Sequence, residues 1–207
     1  MTTYIEQYAN TANANIIIEG ILSSHDPVTF LAFITSFSDS MTSNWSEEAV
    51  YGRPDPIGTF QGTSRKISLG FDVPAGDFDT AAKNLTKINK VKQFMYPAYS
   101  TSAKNVSGTT ITTNALSLSK SPLIRLGLAN LIHNGDGETG LLGWISSFSA
   151  TPVIEMGMFS SQKKLYPKVY NVTLDFTPQH EFDLGTKSPS TEFLSTEFSN
   201  FPYDGGS

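Results

Sequence analysis

Over Lys66-Ile67-Ser68-Leu69-Gly70-Phe71-Asp72-Val73, apolar and polar residues alternate with a period of two. That sets Ile67, Leu69, Phe71 and Val73 on one face of a half-buried strand, which Pro74 ends. The period then changes. Phe78, Ala81, Leu85, Ile88, Val91 and Met95 recur at spacings of three and four, with Lys83, Lys87 and Lys90 on the opposite side. This predicts an amphipathic helix, with Asp77 placed to cap it and Pro97 to stop it. Its lysine face reads as a solvated or partner-facing side rather than a phosphate site. Further on, Ile124, Leu126 and Leu128 alternate with Arg125, Gly127 and Ala129. The turn-rich run Asn134-Gly135-Asp136-Gly137-Glu138-Thr139-Gly140 leads into a second strand from Leu141 to Phe148, which predicts a hairpin. Val172, Leu174 and Phe176 alternate once more before Pro178. The pattern is that of a mainly β protein with one flanking helix, an α+β fold.

Two halves of the chain echo each other. Ile34-Thr35-Ser36-Phe37-Ser38 resembles Ile145-Ser146-Ser147-Phe148-Ser149, and each is followed by a strand ending at a proline: Leu69, Phe71 and Pro74 against Leu174, Phe176 and Pro178. A duplicated β-meander would explain it, and so would chance recurrence in a Ser-rich sequence. From Gly185 onward the character changes. Thr186 to Ser207 is polar and repeats Ser-Thr-Glu-Phe at Ser190 to Phe193 and at Ser195 to Phe198. So little aliphatic content cannot order a segment by itself, while Phe193, Phe198, Phe201 and Tyr203 are isolated aromatics of the kind that dock on a partner; the segment reads as an extension that orders only in an assembly or as a disordered end with no role. The organisation read from sequence is an N-terminal arm over residues 1–29, a β domain over 30–185 and a flexible C-terminal extension over 186–207.

Composition narrows the function. The 207 residues include no cysteine, which excludes disulfide scaffolds, thiolate-bound zinc, iron–sulfur clusters and thiol nucleophiles. The formal charge of -5 argues against holding nucleic acid by neutralising phosphates. Charged residues make up 16%, against roughly 25% in an average soluble domain, as on a surface that meets other protein. Ile16 to Leu22 is interrupted by Glu19 and is far short of the roughly 18 apolar residues of a membrane span. Met1 to Asn10 carries no basic cluster of a secretory signal, so no membrane partner and a cytoplasmic site of synthesis are expected. Sequons at Asn44, Asn84, Asn105 and Asn171 fit chance in a chain this rich in Ser and Thr.

No local signature of catalysis is present. His25, His133 and His180 are far apart, and the sequence has no His-Glu-x-x-His pair, phosphate-binding glycine loop or nucleophile elbow. His180 beside Glu181 and Asp183 is the nearest thing to a base with orienting carboxylates. Glu47, Glu48, Asp55 and Glu155 have no spacing that marks a glycosidase pair. Asn134, Asp136 and Glu138 offer oxygen ligands but lack the calcium-loop spacing and its closing bidentate Glu. The expectation is no enzyme, no cofactor and no metal.

The densest cluster of unusual residues is Trp45 to Pro56. Pro54 and Pro56 flank Asp55 directly after Tyr51-Gly52-Arg53, which makes a stiff, donor-poor loop. Arg53 can fork onto a carboxylate of a neighbouring chain or onto Asp55 of its own loop.

At this cluster the sequence resembles the baseplate hub or tail-tube initiator proteins of contractile-tailed bacteriophages. The resemblance is carried by Val50-Tyr51-Gly52-Arg53-Pro54-Asp55-Pro56-Ile57 and by Arg65-Lys66-Ile67-Ser68-Leu69-Gly70-Phe71-Asp72-Val73-Pro74-Ala75. It continues through Phe94-Met95-Tyr96-Pro97-Ala98-Tyr99, Ser121-Pro122-Leu123-Ile124-Arg125, Gly140-Leu141-Leu142-Gly143-Trp144-Ile145, Leu165-Tyr166-Pro167-Lys168-Val169 and His180-Glu181-Phe182-Asp183-Leu184-Gly185, in that order from Phe30 to Gly185.

The resemblance implies a structural virion protein with a tail-tube-like fold, a β-sandwich or split barrel flanked by a helix. It implies a homo-oligomer closed as a sixfold ring in the baseplate, joining the hub and spike to the first ring of the tail tube, with DNA passing the lumen without specific binding. Localisation in the virion, after assembly in the host cytoplasm, follows. Some relatives carry a C-terminal LysM module; the segment after Gly185 has no room for one, so peptidoglycan contact is not expected. Trp45, Tyr51, Arg53, Asp55, Arg65, Phe193 and Phe198 are the candidate subunit-interface residues. Alternatives from the residues are another tail-tube or distal tail protein, and a carbohydrate-binding β-sandwich using Trp45, Trp144 and Tyr51 as sugar platforms.

Overall fold

Alternating segments pair into one antiparallel sheet. The computed structural model describes residues 15–22, 26–31, 33–106, 109–134, 139–161, 164–181, 184–186 and 202, with backbone alone over 100–117 and at 161. Seven strands form the sheet: β1 (Asn15–Gly20), β2 (Val28–Leu31), β3 (Phe33–Glu48), β4 (Ile57–Pro74), β7 (Ile124–Leu128), β8 (Leu141–Pro152) and β11 (Val169–Pro178). Their order is β2-β1-β7-β8-β11-β4-β3. Two small hairpins stand apart, β5 (Ala98–Val106) with β6 (Thr109–Lys120) and β9 (Met158–Ser161) with β10 (Lys164–Pro167). Among the described residues the single α-helix is α1 (Phe78–Phe94), capped as its sequence predicts by the Asp77 carboxylate accepting from Thr80 N–H.

The sheet is rolled but not closed. Its edge strands β2 and β3 are consecutive in sequence with one residue between them, so Leu31 and Phe33 lie within about 7 Å of each other although five strands separate them in the sheet. Phe30 of β2 and Phe71 of β4 touch at 5.5 Å between ring centroids, whereas a flat sheet would hold these strands about 24 Å apart. The roll turns its apolar face inward. Ile16, Ile18, Phe30, Ile67, Leu69, Phe71, Leu126, Val172, Leu174 and Phe176 are buried there together with Ile88, Val91 and Phe94 of the helix.

Helix α1 holds both margins of the open seam. Asn84 donates to the Pro74 carbonyl at the end of β4, and the Lys87 ammonium donates to the Thr29 carbonyl of β2 while lying over the Phe30 ring. Lys90 reaches the Asp26 carbonyl. The lysine face is therefore not simply solvated, as its spacing suggests. Long side chains on the rim of the apolar stripe reach backbone carbonyls that the short β2 leaves unpaired.

Within the stretch assigned to an arm by sequence, residues 15–20 form β1 and residues 28–29 start β2, and Ile16, Ile18 and Val28 are buried in the core. The extension over 186–207 lies almost wholly outside the described residues.

The internal echo reappears in the strand registers. Ile34 pairs with Phe71 and Phe37 with Leu69; Ile145 pairs with Phe176 and Phe148 with Leu174. β4 and β11 then pair with each other, Leu69 opposite Leu174, so the two equivalent strand pairs meet about a local twofold.

Candidate functional site: a projecting hairpin and a hydroxyl-rich sheet face

β3 and β4 are far longer than the sheet they edge. β11 pairs with β4 only from Pro74 to Ile67, so below Lys66 the two strands have each other alone as partners, down to Glu48 opposite Ile57. Residues 42–48 and 57–64 thus form a two-stranded arm about 24 Å long. Both of its faces are solvent-exposed. A two-stranded ribbon is marginal in water without something to pack on.

This arm nonetheless carries large apolar side chains. Trp45 is 57% exposed and meets Phe60 edge-on at 5.3 Å, with its indole N–H donating to Ser43 Oγ. Met41, Val50 and Ile57 are also exposed, and Tyr51 at the tip is fully so. Gly52 takes a φ of 83° in the turn where Arg53 N–H donates to the Val50 carbonyl, a left-handed backbone that favours glycine. Arg53 and Asp55 are exposed, and among the described residues neither makes an ion pair, so the alternative in which Arg53 forks onto its own Asp55 does not occur. Four of the sequence-predicted residues, Trp45, Tyr51, Arg53 and Asp55, thus gather at the distal end of one hairpin. Sequence reasoning misses Phe60 and Met41, whose signal is an aromatic or methionine isolated among Ser, Thr and Gly.

Arg65 is placed differently. It sits where the arm joins the core, its guanidinium forked onto Asp39 through Nε at 3.0 and 3.1 Å and Nη2 at 2.5 Å, with 5% and 3% of the two side chains exposed. A guanidinium held this way within its own chain is an anchor for the hairpin root. His180 lies beside the pair. Burial holds its imidazole below the ordinary value of 6.5; Arg65 acts in the same direction and Asp39 opposes it. Glu181, next to it in sequence, is engaged elsewhere: it accepts both Nη groups of Arg125 and the amide of Asn134, and Asp183 lies outside the described residues. Phe193 and Phe198 lie outside the described residues, as do Asp136 and Glu138 of the oxygen-rich loop.

The outer face of the sheet is the second feature. Strand alternation puts Ser38, Ser40 and Thr42 of β3, Ser64 and Ser68 of β4, Thr173 and Thr177 of β11, and Ser147, Ser149 and Thr151 of β8 on the side away from the core. Few charges interrupt them. Lys66 bonds Asp175 at 2.9 Å, and hydrogen bonds from Ser68 and then Lys66 hold the Asp175 carboxyl below its ordinary value. Asp72 accepts from the Asn171 amide. The Asn171 and Asn84 sequons both have their amide nitrogens so engaged.

Among the described residues no three His, Asp or Glu side chains converge to hold a metal ion, and no helix is long and apolar enough to cross a membrane. No family model matches the sequence, and neither does any curated protein.

Proposed function

We propose that this chain is a structural protein of a bacteriophage tail, one of six copies that close a ring in the baseplate hub and start or cap the tail tube. The observation that carries the reading is the projecting β3–β4 arm: a ribbon exposed on both faces, tipped with Trp45, Phe60 and Tyr51, and rooted by a buried ion pair. Such a ribbon is stabilised when a neighbouring subunit covers it. The contact is heterologous, since the arm of one copy meets a different surface of the next, and a heterologous contact that closes makes a ring. In this reading the open rolled sheet is a tail-tube-like split barrel with α1 on its flank.

The hydroxyl-rich outer face supports the same reading. A surface of Ser and Thr with its few charges paired offers DNA hydration without attraction, and a net charge of -5 leaves no basic lining to arrest a polyanion. The sugar-platform alternative has less support, because Trp45 on β3 and Trp144 on β8 stand on strands separated by β4 and β11. Arg53→Ala and Trp45→Ser are expected to leave the monomer folded and to abolish ring assembly, read by sedimentation velocity. Unchanged assembly in both variants refutes the role given to the arm.

A further inference from the structure

An apolar groove runs around the C-terminal end of α1. One hollow of about 460 Å³ lies among Phe94, Pro122, Leu123, Trp144 and Ile145, and a second of about 240 Å³ shares Phe94 and Leu123 with it as a common wall and continues towards Leu22 and Tyr96. No Asp, Glu, Lys or Arg lines either hollow; Ser121, Gln93 and Gln179 supply the polar groups. Trp144, with 43% of its surface exposed, is the largest apolar side chain left uncovered there.

We propose that this groove seats the chain's own C-terminal segment, with Phe193 and Phe198 as its two anchors. Three observations converge. The segment duplicates Ser-Thr-Glu-Phe, so it offers two identical aromatic anchors five residues apart, at most about 17 Å in extended chain, to two adjoining apolar hollows. The segment also reaches. Gln179 lines the larger hollow, Thr186 can lie no more than about 24 Å from it, and the twelve residues from Thr186 to Phe198 span up to about 40 Å, so Phe198 can return to the groove wherever Thr186 sits. The chemistry matches as well. Phenylalanine rings fill uncharged apolar hollows; residues five apart fall on opposite faces of a regular strand, so both rings enter only where the segment turns between Phe193 and Phe198. The contact lies within one chain and stands apart from ring formation.

The test uses the full chain at concentrations where it is monomeric. A photoreactive benzophenone analogue of phenylalanine is placed at Phe193 or at Phe198, and normal and nitrogen-15 chains are mixed before illumination. The expected cross-links join position 193 or 198 to peptides carrying Phe94, Leu123 or Trp144, always within one isotope label. Cross-links confined to other regions overturn the proposal, and so do links joining light to heavy chains, which would make a second copy the occupant. An independent reading follows Trp144 fluorescence in a Trp45→Phe background. Phe193→Ser with Phe198→Ser is expected to shift its emission to the red and to increase quenching by acrylamide, with circular dichroism unchanged. Emission and quenching identical to the parent overturn the proposal.

Discussion

Removing the Arg65 guanidinium while leaving Asp39 in place isolates what the buried fork contributes. Both side chains are at least 95% buried, and three N–H···O contacts join them across β3 and β4. In Arg65→Met the carboxylate keeps its desolvation and loses its cation, which costs about 3–5 kcal/mol. That is a large part of the roughly 5–15 kcal/mol that holds a domain folded. At about 2–4 °C per kcal/mol for a chain of this size, the melting temperature falls by roughly 6–20 °C. Urea unfolding at pH 7 should show a lower midpoint with an unchanged slope, because the surface exposed on unfolding is the same. Two controls fix the cause. Arg65→Met with Asp39→Leu removes both charges and should recover most of the loss, since an apolar pair can replace a buried ion pair. Arg65→Lys, which keeps a cation opposite Asp39 without the guanidinium fork, should lose less than Arg65→Met. A loss below about 1 kcal/mol in the single variant, the value of a solvated pair, would refute the assignment of this pair as the buried root of the hairpin.

The His180 imidazole is held below 6.5 in the folded chain, so the unfolded chain takes up its proton first as pH falls through 6.5. Stability is therefore full above that pH and is lost on acidification until the folded imidazole also protonates; His180→Asn should flatten this dependence in melting curves between pH 7.5 and 5. A side chain at Gly143 would overlap the Thr177 carbonyl oxygen and stand 2.6 Å from the Phe176 ring, so Gly143→Ala should destabilise by about 1–3 kcal/mol or more in urea titration. Trp45→Ser with Phe60→Ser removes only solvent-exposed rings and should leave the melting temperature of the monomer within a degree or two while eliminating self-association, by scanning calorimetry and sedimentation.

The parts of the fold that bury an apolar face are legible in the order of residues alone. Ile67 to Val73, Val172 to Phe176, Ile124 to Leu128 and the helix from Phe78 all declare themselves by period, and Asp77 caps where its position predicts a cap. The Ser-Phe-Ser echo is informative because equal residues take equal partners across two antiparallel strand pairs. What stays hidden shares one cause. The distal half of β3 and the outer half of β4 are exposed on both faces, so no hydrophobic alternation marks them, and the Ser- and Thr-rich β5–β6 hairpin likewise gives no sign. β1 reads as part of an arm because its isoleucines are consecutive, and consecutive apolar residues do not show which of them face a core. The prolines of the Trp45 to Pro56 cluster mark a stiff loop, but that it crowns a long ribbon follows only from pairing. Arg65 stands out as a charged residue beside an alternating strand; its partner Asp39 lies 26 residues earlier, and only the register of β3 on β4 brings them together.

The function proposed for this chain turns on its closing a ring. Native mass spectrometry of the purified chain, with negative-stain electron microscopy of the same sample, puts ring closure to the test. The expected result is a single assembly of six copies, seen end-on as a ring with a central opening. A chain that remains monomeric at every concentration reached, or one that forms open chains with no closed species, would overturn the ring.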